Sequence, residues 1–179
     1  MGSNKNTILA LDGHDGSGKT TLAKLFAEQI GGIYIRPFDS DSGPQLLNYA
    51  DKQDYKNVSL FGKHTIKKYD DAYSGEILVF DRHWMTVFSL LPESYRHDKI
   101  WYPLPSTMLC FSNLENTLSR LQVRSEKVYD QNYHTYYLDL YLNLSKQYNI
   151  NVLRTDRSDI LKCLKILIKW HTLISKYEQ

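Results

Sequence analysis

An α/β fold, a five-stranded parallel sheet with helices on both faces, is what this sequence predicts. Three observations lead there. Short apolar runs alternate with stretches of helical periodicity along the whole chain. Most of those runs are continuously apolar, as strands buried on both faces must be. The first run also passes through a glycine-rich turn straight into an amphipathic helix.

Strands are expected at Ile8–Leu11, Ile33–Ile35, Ile77–Phe80, Thr107–Phe111 and Asn151–Leu153. Between the first two, Leu22, Leu25, Phe26 and Ile30 share one helix face, stopped by Gly31-Gly32. Leu114, Leu118 and Leu121 make a second stripe, and Tyr137, Leu138, Tyr141, Leu142 and Tyr148 a third. Ser158 or Asp159 can cap the last helix, whose stripe is Ile160, Leu161, Leu164, Leu167, Ile168 and Ile174. No linker or repeat divides the chain, so one domain over residues 1–179 is expected. Residues 1–6 read as disordered or tag-derived.

Composition narrows the functions. Hydrophobic residues make up 42% and charged residues 23% of 179, the globular range. A net charge of +2 offers no global field for polymeric nucleic acid or an anionic membrane, so any anion site must be local. No apolar stretch reaches the roughly 18 residues of a membrane span. The two cysteines, Cys110 and Cys163, show no metal-ligand spacing and read as buried, reduced thiols of a cytoplasmic protein.

After the first strand comes Gly13-His14-Asp15-Gly16-Ser17-Gly18-Lys19-Thr20, which fits G-x-x-x-x-G-K-[ST] at every fixed position. Glycines let backbone N–H groups close around phosphate oxygens, and the following helix adds its positive end. Gly13, Gly16, Ser17, Gly18, Lys19, Thr20 and Thr21 are therefore the candidate ATP-binding residues. Lys19 reaches the β- and γ-phosphates, and the Thr20 hydroxyl can ligate Mg²⁺. His14 reads as an exposed loop residue. Asp81-Arg82-His83 ends the third strand, where Asp81 can hold Mg²⁺ through water and Arg82 can clamp a phosphate. Arg120 and Arg124 lie four apart on one helix face, with Lys127 close behind.

Gly-x-Asp-Gly-Ser-Gly-Lys-Thr-Thr resembles the phosphate loop of thymidylate kinases, which phosphorylate dTMP with ATP, and the Asp81-Arg82 pair is similar too. The resemblance runs from Thr7 to about Ile174 and implies a P-loop kinase fold with an arginine-bearing lid at about 119–133. It implies that Arg120 and Arg124 close over ATP, and that Asp15 accepts a hydrogen bond from the acceptor's 3′-hydroxyl. It places Arg36, Pro37 and Phe38 beside the acceptor phosphate, Phe61 on its base, and the turn holding Asp156 near adenine. Catalysis would fall to Lys19, Asp15, Arg82, Arg120 and Arg124, with ATP and Mg²⁺ as cofactors. A small nucleotide would be the partner, and a homodimer is implied because thymidylate kinases are commonly dimers.

The sequence departs from that family after Phe61, where Gly62, Lys63, His64 and Thr65 stand in place of an expected arginine. It also carries Asp39-Ser40-Asp41 after the second strand. Acids there would repel an acceptor phosphate, but one could serve as general base towards a nucleoside hydroxyl. A deoxynucleoside kinase is therefore the alternative. A GTP switch is disfavoured, because Asp81-Arg82-His83-Trp84 replaces Asp-x-x-Gly and the one Asn-Lys, Asn4-Lys5, precedes the first strand.

Overall fold

The computed structural model describes residues 5–124 and 129–177. Its strands are β1 (Thr7–Asp12), β2 (Ile33–Ile35), β3 (Ile77–Asp81), β4 (Ser106–Phe111) and β5 (Asn151–Arg154). Its helices are α1 (Lys19–Ile30), α2 (Ser42–Asp51), α3 (Tyr55–Asp71), α4 (Trp84–Phe88), α5 (Leu114–Val123), α6 (Gln131–Gln147) and α7 (Ile160–Tyr177). Every strand pairing is parallel, in the spatial order β2-β3-β1-β4-β5. All the expected strands are present. Three run one residue further at the carboxyl end, because Asp12, Asp81 and Arg154 still register opposite Leu109, Leu11 and Phe111.

The connections decide where a ligand can sit. From β1 the chain goes out to β2, returns to β3 beside β1, and then crosses to the other side of β1 for β4 and β5. The order reverses at β1, and the crevice outside the carboxyl ends at such a reversal is where open α/β sheets bind ligands.

Although most strand residues are apolar, their side chains divide between two layers, as a period of two requires. Ala10, Leu78, Phe80, Leu109 and Phe111 face a core with Val58, Trp84, Phe88 and Leu144. Leu9, Leu11, Val79, Met108 and Cys110 face the other, with Leu22, Phe26, Cys163 and Leu167 from α1 and α7. Both cysteines are buried free thiols. Among the described residues no helix is long and apolar enough to cross a membrane.

Helix ends follow local chemistry. The Gly32 N–H donates to the Ala27 carbonyl (2.8 Å) where α1 stops, and the Lys162 N–H donates to Asp159 Oδ1 (2.8 Å) where α7 starts. Asp159, not Ser158, is thus the cap. Leu161, expected in the stripe of α7, is 67% exposed. Periodicity says which residues share a face, not how far the neighbouring layer extends beneath it. Asn6 also differs from expectation. Its side chain donates to the Asp70 (2.8 Å) and Tyr73 (3.0 Å) carbonyls and accepts from the Glu76 N–H (3.0 Å), tying the start of β1 to the α3–β3 turn. Residues 1–4 and, within the expected lid, residues 125–128 with Lys127 lie outside the described residues.

Candidate active site

The loop between β1 and α1 is wrapped too tightly for side chains at two points. Gly13 has φ +143° and a Cβ there would sit 2.2 Å from the Cys110 carbonyl oxygen; Gly16 has φ +74° and its Cβ would meet the Thr117 carbonyl at 2.8 Å. Only glycine permits both the angles and the approach. Beneath the loop, the Thr155 hydroxyl donates to the Ser17 carbonyl (2.7 Å). Arg120 donates to the Gly16 carbonyl (3.1 Å), the Thr155 hydroxyl (3.1 Å) and the Thr155 carbonyl (2.9 Å). In this conformation Arg120 therefore braces the loop, and of the two arginines expected to close over ATP it is Arg124 that lines the cavity.

Lys19 is buried and donates to the His14 carbonyl at 3.2 Å, with Asp15 Oδ1 3.9 Å away. Burial, reinforced by the Arg82 charge, pushes its ammonium down to about 8 despite the opposing pull of Asp15, Asp81 and Asp12. A group so poised gains most from an incoming polyanion. Arg82 pairs with Asp15 and also donates to the Gly13 carbonyl and the Thr86 hydroxyl, both at 3.4 Å. Burial works to raise the Asp15 carboxyl, but Arg82 and Lys19 outweigh it and hold the group well below the usual carboxylate range.

Asp12 was not singled out by the sequence, yet it organises this corner. Fully buried, it accepts from the His83 N–H (2.8 Å), the Thr86 hydroxyl (2.6 Å) and the Gly13 N–H (3.3 Å). It thereby fixes the turn after β3 against the turn after β1. A carboxylate closing an otherwise apolar strand was the available signal, since such a group is not buried without partners.

Asp81 is 1% exposed; its Oδ2 accepts from the Tyr34 hydroxyl (3.0 Å), while its Oδ1 has no partner. An unpaired buried carboxylate oxygen at the end of β3 and the hydroxyl of Thr20, a residue lining the cavity, are hard donors of the kind Mg²⁺ takes. Among the described residues no cluster of three or more His, Cys, Asp or Glu could hold a metal alone. Magnesium here would need phosphate oxygens and water to complete its shell.

The cavity, about 250 Å³, is lined by Asp15, Gly16, Gly18, Lys19, Thr20, Thr21, Arg36, Arg82 and Arg124. Sequence-predicted residues that follow β1, β2, β3 and α5, with the first turn of α1, thus meet at one place. Others do not line it. Pro37 is buried, Phe38 is packed in the core, and Phe61 leans on Tyr49 with ring centroids 5.7 Å apart. Asp156 is held by Arg154 (2.9 and 2.6 Å) and accepts from the Asn113 N–H (3.2 Å). Lys63 lies over the Trp101 ring at 5.5 Å. His14 corrects the expectation of an exposed residue: it is 5% exposed and bonded to His134. Its loop position predicted exposure, but α6 packs over the loop, which nothing local in the sequence signals.

No protein-family model matches the chain, and no curated protein matches it. Solved structures do. A deoxyadenosine kinase from M. mycoides with bound dATP superposes with a TM-score of 0.64 at 14% identity, over 93% of this chain and 100% of that one. Thymidylate kinase from Candida albicans gives 0.65 at 15%, over 98% and 94%. The YorR protein from Bacillus subtilis, in complex with phosphorylated GDP, gives 0.62 at 14%, over 95% and 98%. Likeness at such identity is likeness of fold, and the fold this chain carries is that of the P-loop nucleotide and nucleoside kinases.

Proposed function

We propose that the chain is an ATP- and Mg²⁺-dependent phosphotransferase that moves the γ-phosphoryl group of ATP to a nucleoside monophosphate, with dTMP the acceptor we favour. The observation that carries this reading is the convergence of Lys19, Arg36, Arg82 and Arg124 on one cavity against a single carboxylate, Asp15. A volume of about 250 Å³ suits phosphoryl groups rather than two whole nucleotides. Four cations there match two phosphate-bearing ligands meeting head to head.

In this reading an acceptor phosphate oxygen attacks the γ-phosphorus in line, and the bond to the β–γ bridging oxygen breaks to release ADP. The backbone of Gly13, Gly16, Ser17 and Gly18 cradles the ATP phosphates, with Thr21 beside them. Lys19 and Arg124 meet the charge that develops at the transferring group, and Arg120 keeps the loop in shape. Thr20 and Asp81 would hold Mg²⁺, which supplies charge neutralisation at the phosphates when bound. Arg82 and Arg36 fix the acceptor phosphate, and Asp15 takes the sugar hydroxyl. The stretch around Pro37 and Phe38, Phe61 for the base and Asp156 for adenine are assigned by resemblance to thymidylate kinases.

A deoxynucleoside kinase is the second reading, and it needs a carboxylate base after β2. Asp39 does not suit that task. It accepts from the Asp41 N–H (3.0 Å), the Ser42 N–H (2.9 Å) and the Ser42 hydroxyl (2.7 Å), bonds that hold its carboxyl down to about 2. A base already supplied with donors has little affinity for another proton. The deciding experiment is ADP release from MgATP with dTMP, the other deoxynucleoside monophosphates and the matching nucleosides. Turnover with a monophosphate and none with thymidine is expected. Turnover with a nucleoside alone overturns the reading, and rapid ATP hydrolysis without any acceptor counts against a kinase altogether.

A further inference from the structure

His14 sits inside the phosphate loop and His134 in the first turn of α6, just beyond the lid segment. Their rings meet, His14 Nε2 lying 2.8 Å from His134 Nδ1. His134 is 1% exposed and its Nε2 has no partner. The His14 ring stacks on Tyr137 at 5.7 Å and 1° between planes. Its carbonyl receives Lys19 Nζ and the Ser17 N–H, both at 3.2 Å, so where His14 stands decides where the loop turns and where Lys19 rests.

A proton inventory orients the pair. An unpaired buried N–H costs more than an unpaired lone pair. His134 Nε2 is therefore the bare nitrogen, and His134 Nδ1–H donates to His14 Nε2. Any proton added to His14 goes to Nε2, the atom already accepting. Two N–H groups then face each other, unless His134 shifts its own proton to Nε2, where no acceptor waits. Either way, acid leaves a buried donor unsatisfied. Lys19, Arg82 and His134 itself oppose an added charge, Asp15 alone favours it, and otherwise α6 and the residue Tyr129 before it present only neutral rings, those of Tyr129, Tyr133 and Tyr137.

We propose that His134 is a positioning residue, which acts through His14 to hold the phosphate loop in its anion-binding shape and ties that shape to the helix that follows the lid. The kinetic part rests on the phosphotransfer reading above, but the loop geometry does not. An asparagine at 134 places an amide donor where Nδ1–H stands; glutamine places it a bond further out, and leucine removes it.

The test uses the full chain with H134N, H134Q and H134L, and MgATP as the probe. Expected are an apparent Kd and KM for MgATP within about threefold of wild type for H134N, and a weakening of about tenfold or more for H134Q and H134L. Changes in kcat should be smaller. In NMR, the His14 ring should resist protonation above pH 5 in wild type and H134N, and take up its proton at higher pH in the other two, burial still holding it below its ordinary value. Equal MgATP affinity across the series, or equal weakening in H134N and H134Q, overturns the proposal. If H134L fails to fold, the asparagine–glutamine contrast decides alone. Should wild type bind no nucleotide, the phosphotransfer reading falls, while the His14 titration and the amide shifts of Gly16 and Gly18 still report whether His134 holds the loop.

Discussion

Arg82 is held at φ +81°, a backbone region that favours glycine, and its side chain is also the one paired with Asp15. Its N–H donates to the Leu11 carbonyl (2.9 Å), and Asp12 clamps the next residue, so the neighbours impose the strain. R82G should relieve about 1 kcal/mol of backbone strain and offset the lost hydrogen bonds. Thermal unfolding of R82G should therefore stay near wild type while turnover drops about 10²–10³-fold. A large fall in Tm would make Arg82 a structural residue instead. Lys19 gives a pH prediction. Its unliganded ammonium is depressed to about 8 by burial first and Arg82 second, and a bound triphosphate must raise it again. ATP binding near pH 8.5 should take up a proton, and affinity should weaken as pH rises through 8. Calorimetry in buffers of different ionisation heat reads this directly; no proton linkage at pH 8.5 would sink the argument.

At the scale of elements, α3 meets α4 through a glycine. A Cβ on Gly62 would lie 2.6 Å from Val87 Cγ2 and 2.9 Å from Val87 Cγ1, and Val87 is completely buried. Alanine would gain about 1 kcal/mol of helix propensity there, but overpacking costs about 1–3 kcal/mol where the neighbour cannot yield. Denaturant unfolding should show G62A destabilised in wild type and neutral or stabilised in a V87A background. Additive effects would mean the two helices do not press on each other at this point. This packing also gives Gly62 and Lys63 a structural reason to differ from the thymidylate kinase pattern after Phe61. Gly62 and Lys63 serve the contacts of α3 with α4 and Trp101 rather than the cavity.

For the molecule as a whole, acid should act through two buried histidines. Burial pushes His14 down to about 4 and His83 to about 3, so both stay neutral in the folded chain while their unfolded counterparts take up protons near 6.5. A depressed folded value means stability is present above the unfolded value and is lost as pH falls from about 6.5 toward 4. Each histidine adds a slope of up to about 1.4 kcal/mol per pH unit in that window. Urea midpoints between pH 7.5 and 5 should fall accordingly, and H14N should flatten part of the slope. A pH-independent midpoint over this range would contradict the neutral burial of the pair.

The five strands, the phosphate loop and the caps of α1 and α7 were all readable from residues close in sequence. Each depends on local patterns: apolar runs, glycines at fixed spacing, a carboxylate one residue before a helix. The same locality made Lys19, Thr20, Asp81 and Arg82 visible as candidates. What no local pattern carries is which distant groups neutralise or press on one another. Asp12 bonding to the turn after β3, Arg120 bracing the phosphate loop where closure over ATP was expected, and His14 buried under α6 were decided only when the sheet brought these segments together. Burying a polar group requires a partner, and the partner is named by tertiary contact, not by spacing along the chain.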